Sequence, residues 1–336
     1  MSRLFVTTCL IFTLFVCAPV TGVFGDVWDA PTFSLYSSAV EAYNQGDYKK
    51  ARGLLEESIK DYPDNLLSLY LLGNTLIQLK EDDKALPVLE KTVRIYPRLP
   101  DAWAAMGAIH ERKNDSSEAI ACYQKVAEQD PKNPEWPQRM AVIALKAKDK
   151  KGAETYLKQW IGLEPEDLDA VILLADLLSE QNRWEEAAQV LETHYPKNGN
   201  ALMATRLAGG YFNRGKFEKA SVWFEKLRKL EPESADHPYR LGFIAYKAGD
   251  KAKAEDFFAQ ALAMDPNNFG AAYNLGVLRM EQKKYEEAVK LFKRCTKIRP
   301  KAKEPYLQLG AIYEKVLLDP AKAEEYYQKG GGKPKS

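Results

Sequence analysis

Three histidines, His110, His194 and His237, are the side chains best suited to bind a metal ion or to move a proton near neutral pH. They stand far apart in the sequence, and none has a cysteine, a histidine or a carboxylate at metal-ligand spacing. The glycines at 330–332 have no helix after them to complete a phosphate-binding loop, and no serine-nucleophile motif is found. We therefore expect a chain that is not an enzyme, with no catalytic residue, no metal and no cofactor.

A short pattern of leucine, glycine, alanine and proline repeats along the chain, and it predicts the helices that would position a binding side chain. Leu241-Gly242 is followed by Ala254 and Pro266, and the same four residue types recur thirty-four residues later, ending at Pro300. The same step recurs between alanines along the chain, except that one interval is a residue short and the last a residue long, at Ala51, Ala85, Ala119, Ala153, Ala187, Ala220, Ala254, Ala288 and Ala323. A fixed step of this length predicts a helical solenoid.

Each unit has the pattern of a helical hairpin. Leu241, Ile244 and Ala245 keep a spacing of three and four residues, which places them on one face of a helix. The dipeptide at 249–250 interrupts that pattern, and a second apolar stripe follows until Pro266 ends it. The sequence therefore predicts an all-α fold in which helices pack as consecutive antiparallel pairs.

This pattern resembles the tetratricopeptide repeat family. One unit carries the family residues almost completely, as Tyr273-Asn274-Leu275-Gly276, Tyr285, Glu287-Ala288, Phe292 and Pro300. The resemblance covers about nine units from Thr32 to Lys329 and implies a right-handed superhelical solenoid that binds a protein or peptide in its concave groove. The fourth to sixth units depart most, with Ala141, Ala175 and Ala208 at the glycine position and with Pro137, so we expect their helices to start late or to pack less regularly.

The resemblance also implies which residues face a bound peptide, because the family uses fixed positions of the first helix of each unit. Carried onto this chain, those positions give Arg139, Arg206, Arg240, Asn274, Gln308, Tyr239, Tyr246, Tyr273 and Phe212. Arginines can hold a carboxylate in a fork, amides can bond a peptide backbone and aromatic rings can stack on side chains. Ordinary packing of the tyrosines against the neighbouring unit is the alternative interpretation.

The amino terminus has the pattern of a secretory leader. Arg3 precedes an uncharged apolar run from Leu4 to Val16, and small residues follow up to Gly25. We predict a signal peptide or anchor over 1–25, a linker over 26–31, the solenoid over 32–329 and a flexible basic tail over 330–336. A cleaved leader would make the protein periplasmic or secreted, an uncleaved one would anchor it to the membrane, and lipid attachment at Cys17 is a third alternative.

Two further features bear on packing. Cys122 and Cys295 are separated by five units, too far for a disulfide in a stacked solenoid, so each is expected to be a buried small apolar residue. The leucines of 66–72 are denser than one core stripe requires. We expect the segment 27–31 or another chain to cover them.

The balance of charge excludes one class of partner. The chain has 48 Lys and Arg against 47 Asp and Glu, a net charge of +1, whereas a nucleic-acid binder needs a surplus of cations. We therefore expect a scaffold of the cell envelope that binds a protein or peptide ligand. The alternatives are a scaffold that assembles with itself as a homo-oligomer and an accessory subunit of an envelope enzyme or export complex.

Overall fold

A computed structural model describes residues 30–198 and 200–333 of the chain. These residues form eighteen α-helices and no strand, which confirms the all-α prediction. No helix within these ranges is both long enough and apolar enough to cross a bilayer. The predicted leader, Cys17 and positions 27–29 lie outside the described residues.

The helices fall into two compact units, the first ending at Leu163 and the second beginning at Glu164. The helices of unit 1 are α1 (Ala30–Asn44), α2 (Tyr48–Asp61), α3 (Leu66–Gln78), α4 (Asp82–Ile95), α5 (Pro100–Arg112), α6 (Ser116–Gln129), α7 (Glu135–Lys146) and α8 (Lys150–Leu163). Those of unit 2 are α9 (Leu168–Glu180), α10 (Trp184–Asn198), α11 (Ala201–Asn213), α12 (Phe217–Leu230), α13 (Asp236–Lys247), α14 (Lys251–Met264), α15 (Phe269–Glu281), α16 (Tyr285–Ile298), α17 (Lys303–Lys315) and α18 (Pro320–Lys329).

Each odd-numbered helix packs most extensively against the helix that follows it. A single residue with positive φ makes the turn inside each pair, at Gly46, Lys80, Asn114, Lys148, Asn182, Gly215, Gly249, Lys283 and Leu318. Such a residue ends the first helix and reverses the chain, as left-handed residues commonly do at helix ends. Glycine adopts this conformation without strain, so the lysines and Leu318 mark turns that tertiary packing enforces.

The recurring glycine lies where a large side chain of the second helix crosses the first. A Cβ added to Gly242 would lie 2.7 Å from Cδ1 of Phe258, and one added to Gly276 would lie 2.9 Å from Cε1 of Phe292. The same relation holds for Gly73 with Leu89, Gly107 with Tyr123 and Gly310 with Tyr327. A residue without a side chain is therefore favoured at these positions by close contact with a side chain of the second helix.

The recurring alanines occupy the centre of each helix pair. Eight of the nine have no exposed surface and Ala323 is 3% exposed, because the neighbouring first helix covers them. Overpacking at such a position costs roughly 1–3 kcal/mol, which explains why the residue stays small.

The leucine-rich stretch of α3 is largely buried within unit 1. Leu69, Leu71 and Leu72 are buried, and Leu71 and Leu72 belong to a core shared with α1, α2, α4 and α5. Leu67 is 38% exposed, and the expectation that the segment 27–31 or another chain covers this stretch stays a prediction. α3 contacts α1 as well as both neighbouring helices, so more than one of its faces is buried.

One helix of the three least regular pairs starts late. α7 begins at Glu135, one residue later than a thirty-four-residue step from Pro100, whereas α9 begins at the second such step and α11 thirty-three residues after α9. A late start is therefore seen in the fourth pair alone among the three predicted. The last helix begins at Pro320, where Asp319 caps it by accepting a hydrogen bond from the Lys322 amide.

Candidate functional site

The candidate site is built on the first helices of three consecutive pairs in unit 2, α11, α13 and α15. Their first turns are fixed by asparagine caps at two of the three starts. The Asn200 side chain accepts from the Met203 amide, and that of Asn268 accepts from the Ala271 amide at 2.9 Å. Rigid helices of this kind hold the predicted side chains at defined positions on one face.

Arg206 makes the forked contact that its type suggests, but its partner is a residue of the preceding helix pair within unit 2 and not a ligand. Its Nε and Nη2 each donate a hydrogen bond of 2.7 Å to the carboxylate of Asp176 on α9. This hydrogen bonding raises the pKa of the arginine. Two of the five N–H donors of Arg206 are thus engaged within the protein.

Arg240 stands one repeat later at the same position and is held differently. Its Nε lies 3.3 and 3.4 Å from the two carboxylate oxygens of Asp236, four residues earlier on α13. Its guanidinium carbon lies 5.0 Å from the ring centre of Phe212 and 5.8 Å from that of Tyr239. The position equivalent to Asp176 is Gly209, so no forked partner is available from the preceding pair.

Tyr239 lies against the first turn of α15. A Cβ on Gly270 would be 2.6 Å from Cε2 and Cζ of the tyrosine ring, so the absence of a side chain there makes room for it. The ring also packs at a tilt against Phe258, 6.2 Å between centres. Tyr239 therefore bridges two helix pairs and also forms a wall of the pocket described below.

Tyr273 and Asn274 extend the same wall. The Tyr273 ring lies parallel to that of Phe269 at 6.2 Å and meets the edge of Phe292 at 5.6 Å. Burial raises the pKa of Tyr273, while a hydrogen bond with Gln308 acts in the opposite direction. The half-buried amide of Asn274 has no side-chain hydrogen-bond partner in the described part of the chain, so it remains available to a peptide backbone.

These side chains surround an open pocket of about 560 Å³ within unit 2. Arg299, which follows α16, lies at its edge with its guanidinium carbon 4.7 Å from the centre of the Phe269 ring. The lining residues are Asp236, Tyr239, Phe243, Asp265, Asn267, Asn268, Phe269, Gly270, Tyr273, Asn274 and Arg299. Aromatic walls with a few amides and one arginine can hold an apolar or aromatic side chain and bond the backbone on either side of it.

Tyr246 and Phe212 have other surroundings. Tyr246 lies near the carboxyl end of α13 and donates a 2.8 Å hydrogen bond to Glu281, the last residue of α15, which raises the tyrosine pKa. Phe212 packs against Phe217, Phe224 and Phe243, with ring centres 5.4–6.0 Å apart, so it belongs to an aromatic cluster.

Arg139 belongs to unit 1 and is held there by its own helix pairs. Its Nε pairs with Glu135 at 3.0 Å, its Nη1 lies 3.7 Å from Glu111, and its guanidinium stands over the Tyr123 ring at 5.6 Å. The residues that the structure brings together at the pocket are thus Tyr239, Tyr273 and Asn274, with Arg240 beside them.

Sequence reasoning missed several pocket residues for identifiable reasons. Asp236 and Phe243 stand at the second and ninth positions of their thirty-four-residue repeat, and in the family both positions face a bound peptide. The ninth position of the fifth repeat is Asp176. Arg299 has no such signal, because it follows a second helix and only the fold places it on Phe269. Gly270 is recognisable only through the tyrosine that covers it.

The histidines and cysteines have structural surroundings. His237 is 6% exposed and its Nε2 lies 2.8 Å from Glu231, while His194 Nδ1 lies 2.7 Å from the Val190 carbonyl oxygen. Cys122 and Cys295 are free and buried, as predicted, and burial raises the pKa of each thiol to about 11. Across residues 30–198 and 200–333, no group of three histidine, cysteine or acidic side chains is arranged to hold a metal ion.

Comparison with known proteins gives consistent matches to one repeat family. Sequence models described as tetratricopeptide repeat match residues 42–109, 144–205 and 245–313, and two further models with the same description match 100–133 and 205–269. The first of these models alone covers more than half of the chain.

Curated relatives are similar over parts of their length. The N-terminal acetyltransferase A complex auxiliary subunit NAA15 of Arabidopsis thaliana is 23% identical over 70% of this chain and 28% of its own. The type IV pilus assembly protein PilF of Pseudomonas aeruginosa is 30% identical over 37% of this chain and 50% of its own. The matches thus span between about a quarter and a half of the length of these two relatives.

Solved structures with the same fold include MamA and PilF. MamA aligns with a TM-score of 0.44 at 21% identity, covering 47% of this chain and 92% of its own. PilF aligns with a TM-score of 0.45 at 16% identity, covering 58% of this chain and 89% of its own. Likeness at this level concerns the arrangement of helices and carries nothing about a ligand.

Proposed function

The chain belongs to the tetratricopeptide repeat family, and from that premise we propose that it is a non-enzymatic scaffold of the cell envelope that binds a partner through unit 2. The bound element is an extended peptide or a helix lying across α11, α13 and α15. An array of about nine repeats behind a secretory leader fits this role, since the partner would be met outside the cytoplasm.

One observation carries the proposal, the pocket between α13 and α15. Its aromatic walls take one apolar or aromatic side chain of the ligand, and the Asn274 amide is positioned to bond the neighbouring backbone. Arg240 lies beside it, over the rings of Phe212 and Tyr239, and its only hydrogen bonds in the described residues are long ones to Asp236, so its guanidinium can turn to a ligand carboxylate. A ligand carboxylate at Arg206 would have to compete with the two short hydrogen bonds that its Nε and Nη2 already donate to Asp176.

A second candidate function is that of an accessory subunit in a larger complex. Relatives whose names describe such roles include the acetyltransferase auxiliary subunit and the anaphase-promoting complex subunit 7 of Dictyostelium discoideum, 25% identical over 48% of this chain. The same surface would then contact another subunit. Co-purification from the native source separates this candidate from a scaffold that binds isolated peptides.

The experiment that tests the pocket is peptide selection on the full chain, followed by obstruction of the pocket. Peptides enriched on the wild-type protein are titrated against Gly270→Leu, whose side chain would project into the Tyr239 wall. Gly53→Leu is the matched control, since no atom lies within 4 Å of a Cβ at that exposed helical position. We expect about a tenfold loss of affinity with the first variant and none with the second. Equal binding to both variants would reject the pocket.

A further inference from the structure

A second surface of unit 2 carries a dense positive charge that the pocket does not use. Residues 290–303 contain seven lysines and arginines and no acidic residue, although the whole chain has a net charge of only +1. The seven are Lys290, Lys293, Arg294, Lys297, Arg299, Lys301 and Lys303. The basic face is defined here as Lys290, Arg294, Lys297 and Lys301, which lie outside the pocket.

The repeat itself does not require these cations. The equivalent positions thirty-four residues earlier, on and after α14, carry no lysine or arginine at all. They are Asp256, Ala259, Gln260, Ala263, Asp265, Asn267 and Phe269. α14 and α16 have the same length and the same place in their pairs, so the packing of the repeat does not require the cations of 290–303.

The helix geometry collects these charges on one side. α16 turns Val289, Phe292 and Cys295 into the core and leaves Lys290 and Lys297 exposed. Lys290, Arg294 and Lys297 follow a spacing of four and three residues, so neighbouring Cβ atoms stand about 5–6 Å apart along the helix. Lys301 continues the row past the end of the helix, where it is also exposed.

The basic face is uncompensated within the protein. None of its four cations lies within 4 Å of a carboxylate in the part of the chain that the structure describes. By contrast, Lys251 and Lys253 of α14 pair with Glu281 and Asp250 at 2.8 and 3.0 Å. Like charges at this spacing weaken a helix by a few tenths of a kcal/mol per pair.

We propose that the basic face binds an acidic segment of a partner protein. Acidic side chains at alternate positions of an extended segment lie about 7 Å apart, close enough to the spacing of the cations for each to meet one. Lysine and arginine heads at an exposed surface attract such a segment over about 10 Å and accelerate its encounter with the protein.

Other polyanions fit the surface less well. No large apolar side chain of residues 290–303 is exposed, so the basic face has nothing to insert into the acyl region of a bilayer. A nucleic acid would extend well past four cations, and the 47 acidic residues of the chain would oppose it beyond the patch. An acidic protein segment needs to match only the patch itself.

The test uses the full chain and a twelve-residue glutamate peptide carrying a fluorophore, measured by anisotropy at low salt. The variant Lys290→Gln, Arg294→Gln, Lys297→Gln, Lys301→Gln removes the basic face. The matched control, Lys49→Gln, Lys50→Gln, Lys150→Gln, Lys151→Gln, removes the same charge from exposed lysines of unit 1. We expect the first variant to bind about tenfold more weakly and the control to match the wild type.

The remaining results decide between partners. Wild-type affinity that falls steeply with added sodium chloride supports the basic face, as does unchanged binding in Gly270→Leu, which leaves this surface intact. Equal loss in the control would show attraction by general charge and overturn the proposal. Vesicles containing one third phosphatidylglycerol, or a twenty-base-pair DNA duplex, would also overturn it if either bound through the basic face while the glutamate peptide did not.

Discussion

The guanidinium of Arg206 holds the carboxylate of Asp176 through two parallel hydrogen bonds of 2.7 Å that join α11 to α9. Arg240 occupies the same position one repeat later, where Gly209 replaces the carboxylate. Two arginines that are indistinguishable by position therefore differ in what they can offer a ligand. The first stabilises the stack, and the second is open to exchange its long contact with Asp236 for a stronger one.

The first prediction concerns binding. Arg240→Ala should weaken peptides selected on the wild-type chain by about 1–3 kcal/mol, because a charge-assisted bond at the pocket is lost. Arg206→Ala is the paired control and should leave affinity within about 0.5 kcal/mol of wild type. Isothermal titration measures both. The reverse order of effects would show that Arg206 exchanges Asp176 for the ligand.

The second prediction concerns the stability of the Arg206 pair. A double-mutant cycle with Arg206→Ala and Asp176→Ala should give a coupling energy of about 0.5–1 kcal/mol in urea unfolding. The figure stays small because the side chains are 29% and 44% exposed and water screens the charges. A coupling energy of zero would mean that the fork contributes nothing to the stack.

The third prediction tests the contact between the recurring glycine and the second helix. Gly242→Ala should destabilise unit 2 by roughly 1–3 kcal/mol, since its Cβ would lie 2.7 Å from the Phe258 ring. Adding Phe258→Leu should cost less in this background than in the wild type, because the smaller side chain relieves the overlap. Thermal melts followed by circular dichroism measure the cycle.

The chain supplies natural precedents for that compensation. Ala141 stands with Leu157 and Ala175 with Leu191 at the equivalent positions, so alanine and leucine fit together there. Ala208 with Phe224 is an exception to the pairing. Additive effects of the two substitutions would contradict the steric explanation.

The fourth prediction is a loss of stability in acid. Hydrogen bonds from Gln282 and Arg279 lower the pKa of Glu255, and those from Lys251 and Tyr246 lower the pKa of Glu281, below the usual 4.5. A carboxyl whose pKa is lower in the folded chain stabilises it above pH 4.5, and that contribution is lost as the pH falls through the folded value. The melting temperature should therefore fall below about pH 4.5.

Substitution separates these two groups from the other carboxylates. Glu255→Gln with Glu281→Gln should reduce the acid dependence of the melting temperature, whereas Glu304→Gln, an exposed residue at the start of α17, should leave it unchanged. Identical pH profiles for the double variant and the wild type would assign the acid sensitivity to other groups.

The fifth prediction uses the buried thiols as reporters of unfolding. Burial raises the pKa of Cys122 and Cys295 to about 11, so little thiolate is present at pH 8 and the sulfur atoms are covered. In a chain with Cys9→Ser and Cys17→Ser, a thiol-reactive dye should label neither residue until urea unfolds the protein. Cys122→Ala and Cys295→Ala then report on units 2 and 1 respectively. Rapid labelling of the native chain would contradict this.

The helical repeat could be predicted from the sequence because its recurring glycine, alanine and proline are kept for steric reasons. Gly242, Ala254 and Pro266 each stand where few residue types fit, so their period is visible in a single sequence. The sequence could not show that α1 packs across α3 as well as against α2, so it could not show how the leucines of α3 are buried.

The candidate site was less predictable because it depends on partners across helix pairs. The family positions include Tyr239, Tyr273 and Asn274, which line the pocket, but they could not show that Asp176 already holds Arg206. Nor could they find Arg299, which reaches Phe269 only because α16 ends beside the start of α15. Side-chain competition of this kind is decided by distance and not by spacing along the chain.

Within unit 1 and within unit 2, each helix mainly contacts its partner in the pair and helices of the neighbouring pairs. A thirty-four-residue module can therefore be gained or lost while most contacts among the remaining modules are kept. Surface novelties can then accumulate in one copy while its neighbours preserve the frame. The cationic row on α16, absent from the otherwise matching α14, has the form expected of such divergence after duplication.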